Sequence, residues 1–237
     1  MRSVSPSPVA NIPPSRASSN GSGVENQALR ALLRQRRLEC PHGNHNFFIP
    51  ANALKDLVVV DTVLSNIATS NSRLNDDQVL DYAQKVCQHA TKLFAALAYV
   101  KMAPSICSLL EEGITDHDLP FVRRKNDGKS FRLLRQSGDQ IHTFEEWESK
   151  EREKFDRVQM WMIAPVFKLL GHYELDDKAI LPFVPFDGME EMEKKSRQGG
   201  YGEVYPVQIH PAHHRFWTSH DEVSHHFLFP SLEANFT

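Results

Sequence analysis

Apolar side chains recur at steps of three and four residues over the longest regular stretch of the chain. The main row consists of Val79, Ala83, Val86, Ala90, Leu93 and Leu97, and the adjacent row consists of Leu80, Cys87 and Phe94. This period is typical of an amphipathic helix with a broad apolar face. Asn75 can cap its first turn, because the side-chain oxygen accepts from a free backbone N–H. We therefore predict one helix from Asp76 to about Lys101, packed in a bundle.

Three further helices are predicted in the first half of the chain, over about 24–38, from Pro50 to Ile67, and from Pro104 to Glu112. Proline suits the first position of a helix, and glycine, here Gly113, commonly follows the last. In the first of these helices Leu29, Leu32 and Leu33 share a face. The run Leu57–Val60 is also compatible with a buried strand, although the surrounding spacing favours a helix.

The second half begins with a predicted strand, Ser130–Arg135, between Gly128 and Gly138. A long helix is then predicted from Thr143 to Gly171, with a kink near Pro165. Thr143-x-x-Glu146 fits a capping box at its start. Its expected buried stripe is Trp147, Phe155, Val158, Met162, Val166 and Leu169.

The N-terminal 23 residues are rich in serine, proline, asparagine and glycine, so they cannot bury enough apolar surface to offset the entropy of ordering. We predict a disordered tail over 1–23. Its composition also fits a mitochondrial transit peptide, but Pro6, Pro8, Pro13 and Pro14 would break the amphipathic helix that such a peptide needs.

Charge and cysteine content narrow the classes of partner and compartment. The net charge is −3, which favours neither nucleic acid nor a membrane surface as partner. Residues 1–38 hold six arginines and one glutamate; this basic arm fits a solvated tail better than a site for an acidic partner. The three cysteines lack the spacing of metal ligands, and no apolar run is long enough to span a membrane. We therefore predict a cytoplasmic or nuclear protein.

A glycine-rich segment, Gly199–Tyr205, precedes a β-branched run beginning at Val207. Glycines let backbone N–H groups approach charged phosphate oxygens closely, and this is the logic of the nucleotide loop G-x-G-x-x-G-x-V. Gly199 takes the second glycine position of that pattern, Gly202 the third and Val204 the valine, while Arg197 stands at the first glycine position. A β-hairpin turn without any ligand is the alternative interpretation.

The sequence segments around this loop resemble those of a known protein family. Gly199–Tyr205, followed by Val207-x-Ile-His-Pro-x-His-His214, is similar to the opening of the kinase domain in a group of filamentous-fungal protein kinases. In that group a helical N-terminal region ends in an Ala-Pro-Val-Phe segment, and His-Tyr-Glu-Leu and Ile-Leu-Pro-Phe segments precede the loop. The corresponding segments here are Ala164–Phe167, His172–Leu175 and Ile180–Phe183, so the resemblance covers about residues 145–216.

The resemblance implies an ATP-binding N-lobe and, in complete members, Ser/Thr phosphoryl transfer. The nucleotide-binding residues that it implies are Gly199, Gly200, Tyr201, Gly202 and Val204, with Mg²⁺ present only if the nucleotide binds. Phosphoryl transfer also needs a lysine on the third strand, an H-R-D base and a D-F-G aspartate. No lysine follows Lys195, and neither motif occurs. We therefore predict no kinase catalytic residue and no kinase activity for this chain, and whether it is an enzyme of another kind stays open.

The predicted fold class is mainly α: a helical bundle-like domain followed by a short β-hairpin remnant of a kinase N-lobe. The expected divisions are a disordered tail over 1–23, a helical domain over 24–175, the start of the N-lobe over 176–216, and a divergent, disordered tail over 217–237. A truncated gene model, an intron read-through and a genuine short product all remain open as explanations of the last segment.

Two alternatives remain open beside the kinase-like interpretation. The chain is also compatible with a non-enzymatic helical module that binds a protein partner through residues 24–175. Six histidines lie in the last 28 residues, and His210-x-x-His213-His214 is compatible with two metal ligands on one side of a turn. Because no cysteine pair lies nearby and acids are few, we predict no metal site.

Overall fold

The computed structural model describes residues 21–41, 46–68, 74–125, 131–169, 172–189, 197–199, 202–204 and 207–216. Within these ranges the chain is mainly helical, with several two-stranded sheets, which confirms the predicted helical class. The predicted tails over 1–23 and 217–237 lie almost wholly outside the described residues; the first helix begins at Gly21.

The helices are α1 (Gly21–Arg36), α2 (Ala51–Leu57), α3 (Val60–Ile67), α4 (Asp76–His89), α5 (Thr91–Val100), α6 (Ile106–Glu111), α7 (His142–Glu145) and α8 (Ser149–Met162). The strands are β1 (Leu38–Glu39), β2 (Phe47–Phe48), β3 (Val122–Lys125), β4 (Phe131–Leu134), β5 (Phe167–Lys168), β6 (Phe183–Val184), β7 (Arg197–Gly199), β8 (Gly202–Val204), β9 (Gln208–Ile209) and β10 (His214–Arg215). Antiparallel pairs join β1 to β2, β3 to β4, β6 to β9 and β7 to β8, whereas β5 and β10 pair in parallel.

Helix α5 lies at the centre of the core. Seven consecutive residues, Leu93–Tyr99, are buried, so this helix is enclosed on every side. Helices α1, α4 and α8 pack against it. An aromatic cluster of Phe121, Phe144 and Phe155, the last a residue of α8, extends this core, with ring centroids 5.1–6.0 Å apart.

The predicted helix from Asp76 to Lys101 is in fact two helices. The Asn75 cap is confirmed, but the backbone leaves helical geometry at Ala90, with φ −140° and ψ 29°. A new helix then starts because the Asp116 carboxylate accepts from the N–H groups of Lys92 (3.0 Å) and Leu93 (2.9 Å). Burial raises the pKa of Asp116 even though these donors favour its charged form.

The predicted helix from Pro50 to Ile67 also divides. Pro50 precedes its first residue as expected, but Val58 and Val59 separate α2 from α3. β-Branched side chains lose rotamer freedom in a helix, so a break at this run costs little. The turn leaves Val58 buried and Val59 43% exposed, and it directs Val63 and Ile67 into the core.

The predicted helix from Thr143 to Gly171 is wrong at both ends. Helix α8 starts at Ser149, with its capping box at Glu148 and Glu151, and it ends at Met162, before Pro165. Thr143 belongs to the short α7, where its hydroxyl and N–H both donate to Glu112. The first four residues of the expected stripe are buried, but Leu169 is 68% exposed.

Several smaller elements follow the sequence pattern. Helix α6 ends before Gly113, whose φ of +70° favours glycine, and β4 lies within the predicted strand over 130–135. Its partner β3 was not predicted. Of the helices in the described ranges, none combines the length and the apolar character needed to cross a membrane.

Candidate functional site

The glycine-rich segment forms an antiparallel hairpin. Strands β7 and β8 pair with Arg197 opposite Val204 and Gly199 opposite Gly202. Two residues, Gly200 and Tyr201, join the strands and lie outside the described residues. The structure thus brings together the backbones of Gly199, Gly202 and Val204, three of the five predicted nucleotide-binding residues.

A second strand pair flanks this hairpin along the chain. Strand β6 precedes β7, β9 follows β8, and they pair with Phe183 opposite Ile209 and Val184 opposite Gln208. The two pairs are nested in chain order, but they form separate two-stranded sheets, and residues 190–196 and 205–206 between them lie outside the described residues. In the β6–β9 pair, which is the base of the hairpin in chain order, Phe183 is half-buried and Ile209 is buried.

His213 anchors the base of this hairpin to the helical core. Its side chain is 2% exposed, although histidine is mostly a partly exposed residue. The Ala51 N–H at the start of α2 donates to Nε2 at 3.1 Å, and Nδ1 lies 2.9 Å from the Pro165 carbonyl oxygen. A carbonyl oxygen accepts and cannot donate, so Nδ1 carries the proton and the ring is the neutral tautomer.

Aromatic packing and the local electrostatics support the neutral ring. The Phe48 ring meets the His213 ring edge to face, with centroids 5.4 Å apart. Burial lowers the pKa of His213, and electrostatic repulsion from Lys92 and from the protonated form of His210 lowers it further, against the opposing effect of the Pro165 carbonyl. Parallel pairing of β10 with β5 holds the residues that follow.

The two neighbouring histidines have different roles. His210 Nδ1 accepts from the Ala212 N–H at 3.1 Å and so closes the short 3-10 turn that carries His213. The His214 ring stacks on Phe216, with centroids 4.9 Å apart. Burial lowers the pKa of both. Both nitrogens of His213 are engaged, and the described residues contain no group of three or more His, Cys, Asp or Glu side chains arranged for a metal.

The remaining reactive side chains in the described ranges form no catalytic arrangement that we recognise. Cys87 lines an open hollow of about 580 Å³ between α2 and the ends of α4 and α5, but burial raises the pKa of its thiol, so the thiolate is disfavoured. Tyr82 and Glu111 line a second hollow of about 480 Å³, where the Tyr82 hydroxyl donates to Glu111 at 2.6 Å. That hydrogen bond, with burial, raises the pKa of Tyr82 to about 12.

The sequence did not predict the structural role of His213, because in the sequence it is only one of several clustered histidines. The contacts that define it come from Phe48, Ala51 and Pro165, which are distant along the chain. Its place in the Ile-His-Pro-x-His-His stretch was the one available signal.

Comparison with protein-family models, with curated proteins and with solved structures finds no match to this chain.

Proposed function

We propose that this chain is a protein-kinase-like protein that binds ATP through the hairpin of β7 and β8 and does not itself transfer phosphoryl groups. The observation that supports this most is the register of the hairpin. Gly199 pairs with Gly202 across a two-residue connection, so a glycine stands on each side of the turn. The sequence resemblance to the opening of a kinase domain falls on this same turn.

The physical argument concerns the backbone. ATP phosphates bind loops in which several N–H groups can reach the oxygens without a side chain in the way, and glycines permit this approach. We expect the phosphates to bind at the two-residue connection between Gly199 and Gly202, the paired glycines of β7 and β8. Mg²⁺ would accompany the phosphates rather than occupy a protein site of its own.

Phosphoryl transfer needs groups that this sequence does not supply. A kinase holds the phosphates with a lysine of the third strand, orients the substrate hydroxyl with an H-R-D aspartate, and binds Mg²⁺ through a D-F-G aspartate. The chain has no lysine after Lys195 and neither motif. We therefore expect nucleotide binding without turnover.

Calorimetric titration of the full chain with MgATP tests the proposal. Gly202→Val places a branched side chain beside the turn and should abolish binding, whereas Glu203→Gln, one residue further along β8, should leave it unchanged. If the unmodified chain shows no heat of binding at millimolar MgATP, or if both variants bind as it does, the hairpin is not a nucleotide site. Radiolabelled phosphate transfer to a general protein substrate should remain at background level for all three proteins.

A second candidate is a non-enzymatic protein-interaction module, favoured by the closed helical core around α5. It predicts that a chain ending at residue 175 folds and keeps its partner. The His213 contacts argue that residues 207–216 also contribute to the fold, since their removal leaves the Ala51 N–H and the Pro165 carbonyl without this partner. Thermal unfolding of the shortened chain beside the full chain separates these expectations.

A further inference from the structure

We propose that the exposed face of the hairpin formed by β3 and β4 binds a phosphorylated segment of a partner protein through Arg124 and Arg132. This interaction surface does not depend on nucleotide binding by the glycine hairpin. It is built by strand register, and the sequence alone did not show it because β3 was not predicted.

The register places the two arginines side by side. Arg124 of β3 lies directly opposite Arg132 of β4, and both side chains are exposed. Residues opposite one another in an antiparallel pair project from the same face, with Cα atoms about 4.5–5.5 Å apart. Val122, 42% exposed, lies two residues before Arg124 and therefore shares that face, as does Leu134 opposite it, which is buried and closes that end of the exposed surface.

The other arginines of this region already have acidic partners. Arg123 projects from the opposite face, 3.4 Å from Asp156, with its guanidinium over the Phe131 ring. Arg135 pairs with Asp118 at 2.8 Å. Among the described residues, no acidic side chain pairs with Arg124 or Arg132. Like charges directly opposite each other in a sheet are unfavourable, and a bound anion would remove that repulsion.

Phosphate is the anion that two adjacent guanidinium groups suit best. Each planar guanidinium can donate two parallel N–H bonds, and a phosphoserine group carries three acceptor oxygens and close to two negative charges. Nucleic acid would need a longer track of cations, whereas this chain has a net charge of −3 and the pair is local. A discrete phosphorylated side chain therefore fits better than a polyanion.

The edge of the sheet offers a place for the peptide that carries the phosphate. The sheet has two strands, and no described strand pairs with the free edge of β3, whose four residues are all exposed. An extended peptide can add to such an edge through main-chain hydrogen bonds. Its phosphorylated side chain would then reach Arg124 and Arg132, while an apolar neighbour contacts Val122.

The test is an NMR titration of the ¹⁵N-labelled full chain, following the arginine Nε–H signals. The probe is a short glycine–alanine–serine peptide with one central phosphoserine, beside the same peptide without phosphate. Arg124→Gln and Arg132→Gln remove one cation each, and Arg34→Gln, an exposed arginine of α1, is the matched control. Arg132→Glu places opposite charges across the pair, so the hairpin gains stability while the anion site is destroyed.

We expect the Arg124 and Arg132 signals to shift together with the phosphopeptide, with at least tenfold weaker binding in either glutamine variant and none in Arg132→Glu. Arg34→Gln should bind like the unmodified chain. The proposal is wrong if neither signal moves at millimolar phosphopeptide, if Arg34→Gln weakens binding as much, or if the peptide without phosphate binds equally well. Tighter binding of an oligonucleotide of the same charge would instead assign the surface to nucleic acid.

Discussion

Replacing His213 tests whether the C-terminal hairpin is part of the fold or an appendage to it. His213→Phe keeps an aromatic ring against Phe48 but removes the acceptor for the Ala51 N–H and the donor to the Pro165 carbonyl. A buried polar group without a partner costs about 1–3 kcal/mol. Ala51 and Pro165 are half-buried, so water partly compensates, and we expect a loss of about 2 kcal/mol for the two groups together.

His213→Ala removes the ring as well and should cost about 3–4 kcal/mol, because it also loses the aromatic contact and leaves a cavity. The next residue supplies the control: His214 is half-buried, and its replacement by phenylalanine should cost less than about 1 kcal/mol. Urea unfolding measures these differences. Hydrogen exchange of the amides over 207–216 shows whether the loss is a local release of this segment or is shared by the whole fold.

The neutral state of His213 gives the same contact a pH dependence. Its pKa is lowered in the folded chain from an ordinary 6.5, so between the two values the unfolded chain binds more protons. The stabilisation is therefore complete above about pH 6.5 and is lost as pH falls through the folded pKa. The stability difference between the unmodified chain and His213→Phe should shrink from pH 7.5 to pH 5. If the unmodified chain and His213→Phe have equal unfolding midpoints at pH 7.5 and equal hydrogen-exchange protection over 207–216, His213 does not anchor this segment.

Three further predictions concern the helical core and its surface. Gln159 holds the N–H and carbonyl of Phe121 at 2.8 and 3.2 Å, so Gln159→Leu should lower the unfolding free energy by about 2–4 kcal/mol, whereas Gln84→Leu on the exposed face of α4 should change it little. Burial opposes ionisation of Glu112, but the hydrogen bonds from Thr143 and His142 outweigh it and lower its pKa. Glu112→Gln should therefore destabilise the chain by about 1–2 kcal/mol at pH 7, with the difference disappearing as pH falls below the ordinary glutamate value of 4.5. Absorbance at alkaline pH should show Tyr82 ionising near pH 12, and Glu111→Gln should bring that transition down, while an unchanged titration would contradict the hydrogen bond to Glu111.

The positions at which sequence and structure disagree have a common physical cause. Local signals, such as the Asn75 cap and the glycine after α6, were sufficient to predict the elements that they delimit. The start of α5 after Ala90 and the start of α7 depend on Asp116 and Glu112, acidic side chains 24 and 31 residues away from N–H groups that donate to them. Periodicity cannot reveal such contacts, because an apolar face continues through a break when both helices border the same core.

In the candidate site, too, local features could be predicted from the sequence and contacts between distant residues could not. Glycine spacing was sufficient to predict a turn at Gly199–Gly202, because the unusual backbone requirement is local. Neither the pairing of β6 with β9 nor the anchor at His213 could be predicted, since both depend on partners brought together by the fold. The opposed arginines of β3 and β4 likewise exist only once the register is known.

These contacts connect the hairpin to the helices by a short path. Strand β9 pairs with β6 at the base of the hairpin, the 3-10 turn closed by His210 follows directly, and this turn places His213 on the first N–H of α2. Hydrogen bonds hold the backbone along this path: the His210 N–H donates to the Pro182 carbonyl, the Ala212 N–H to His210, and the Ala51 N–H to His213. We therefore expect loss of the His213–Ala51 hydrogen bond to weaken the adjoining β6–β9 pair. Protonation of His213 at Nε2 removes the acceptor for the Ala51 N–H, so we expect low pH to weaken the attachment of residues 207–216 to α2.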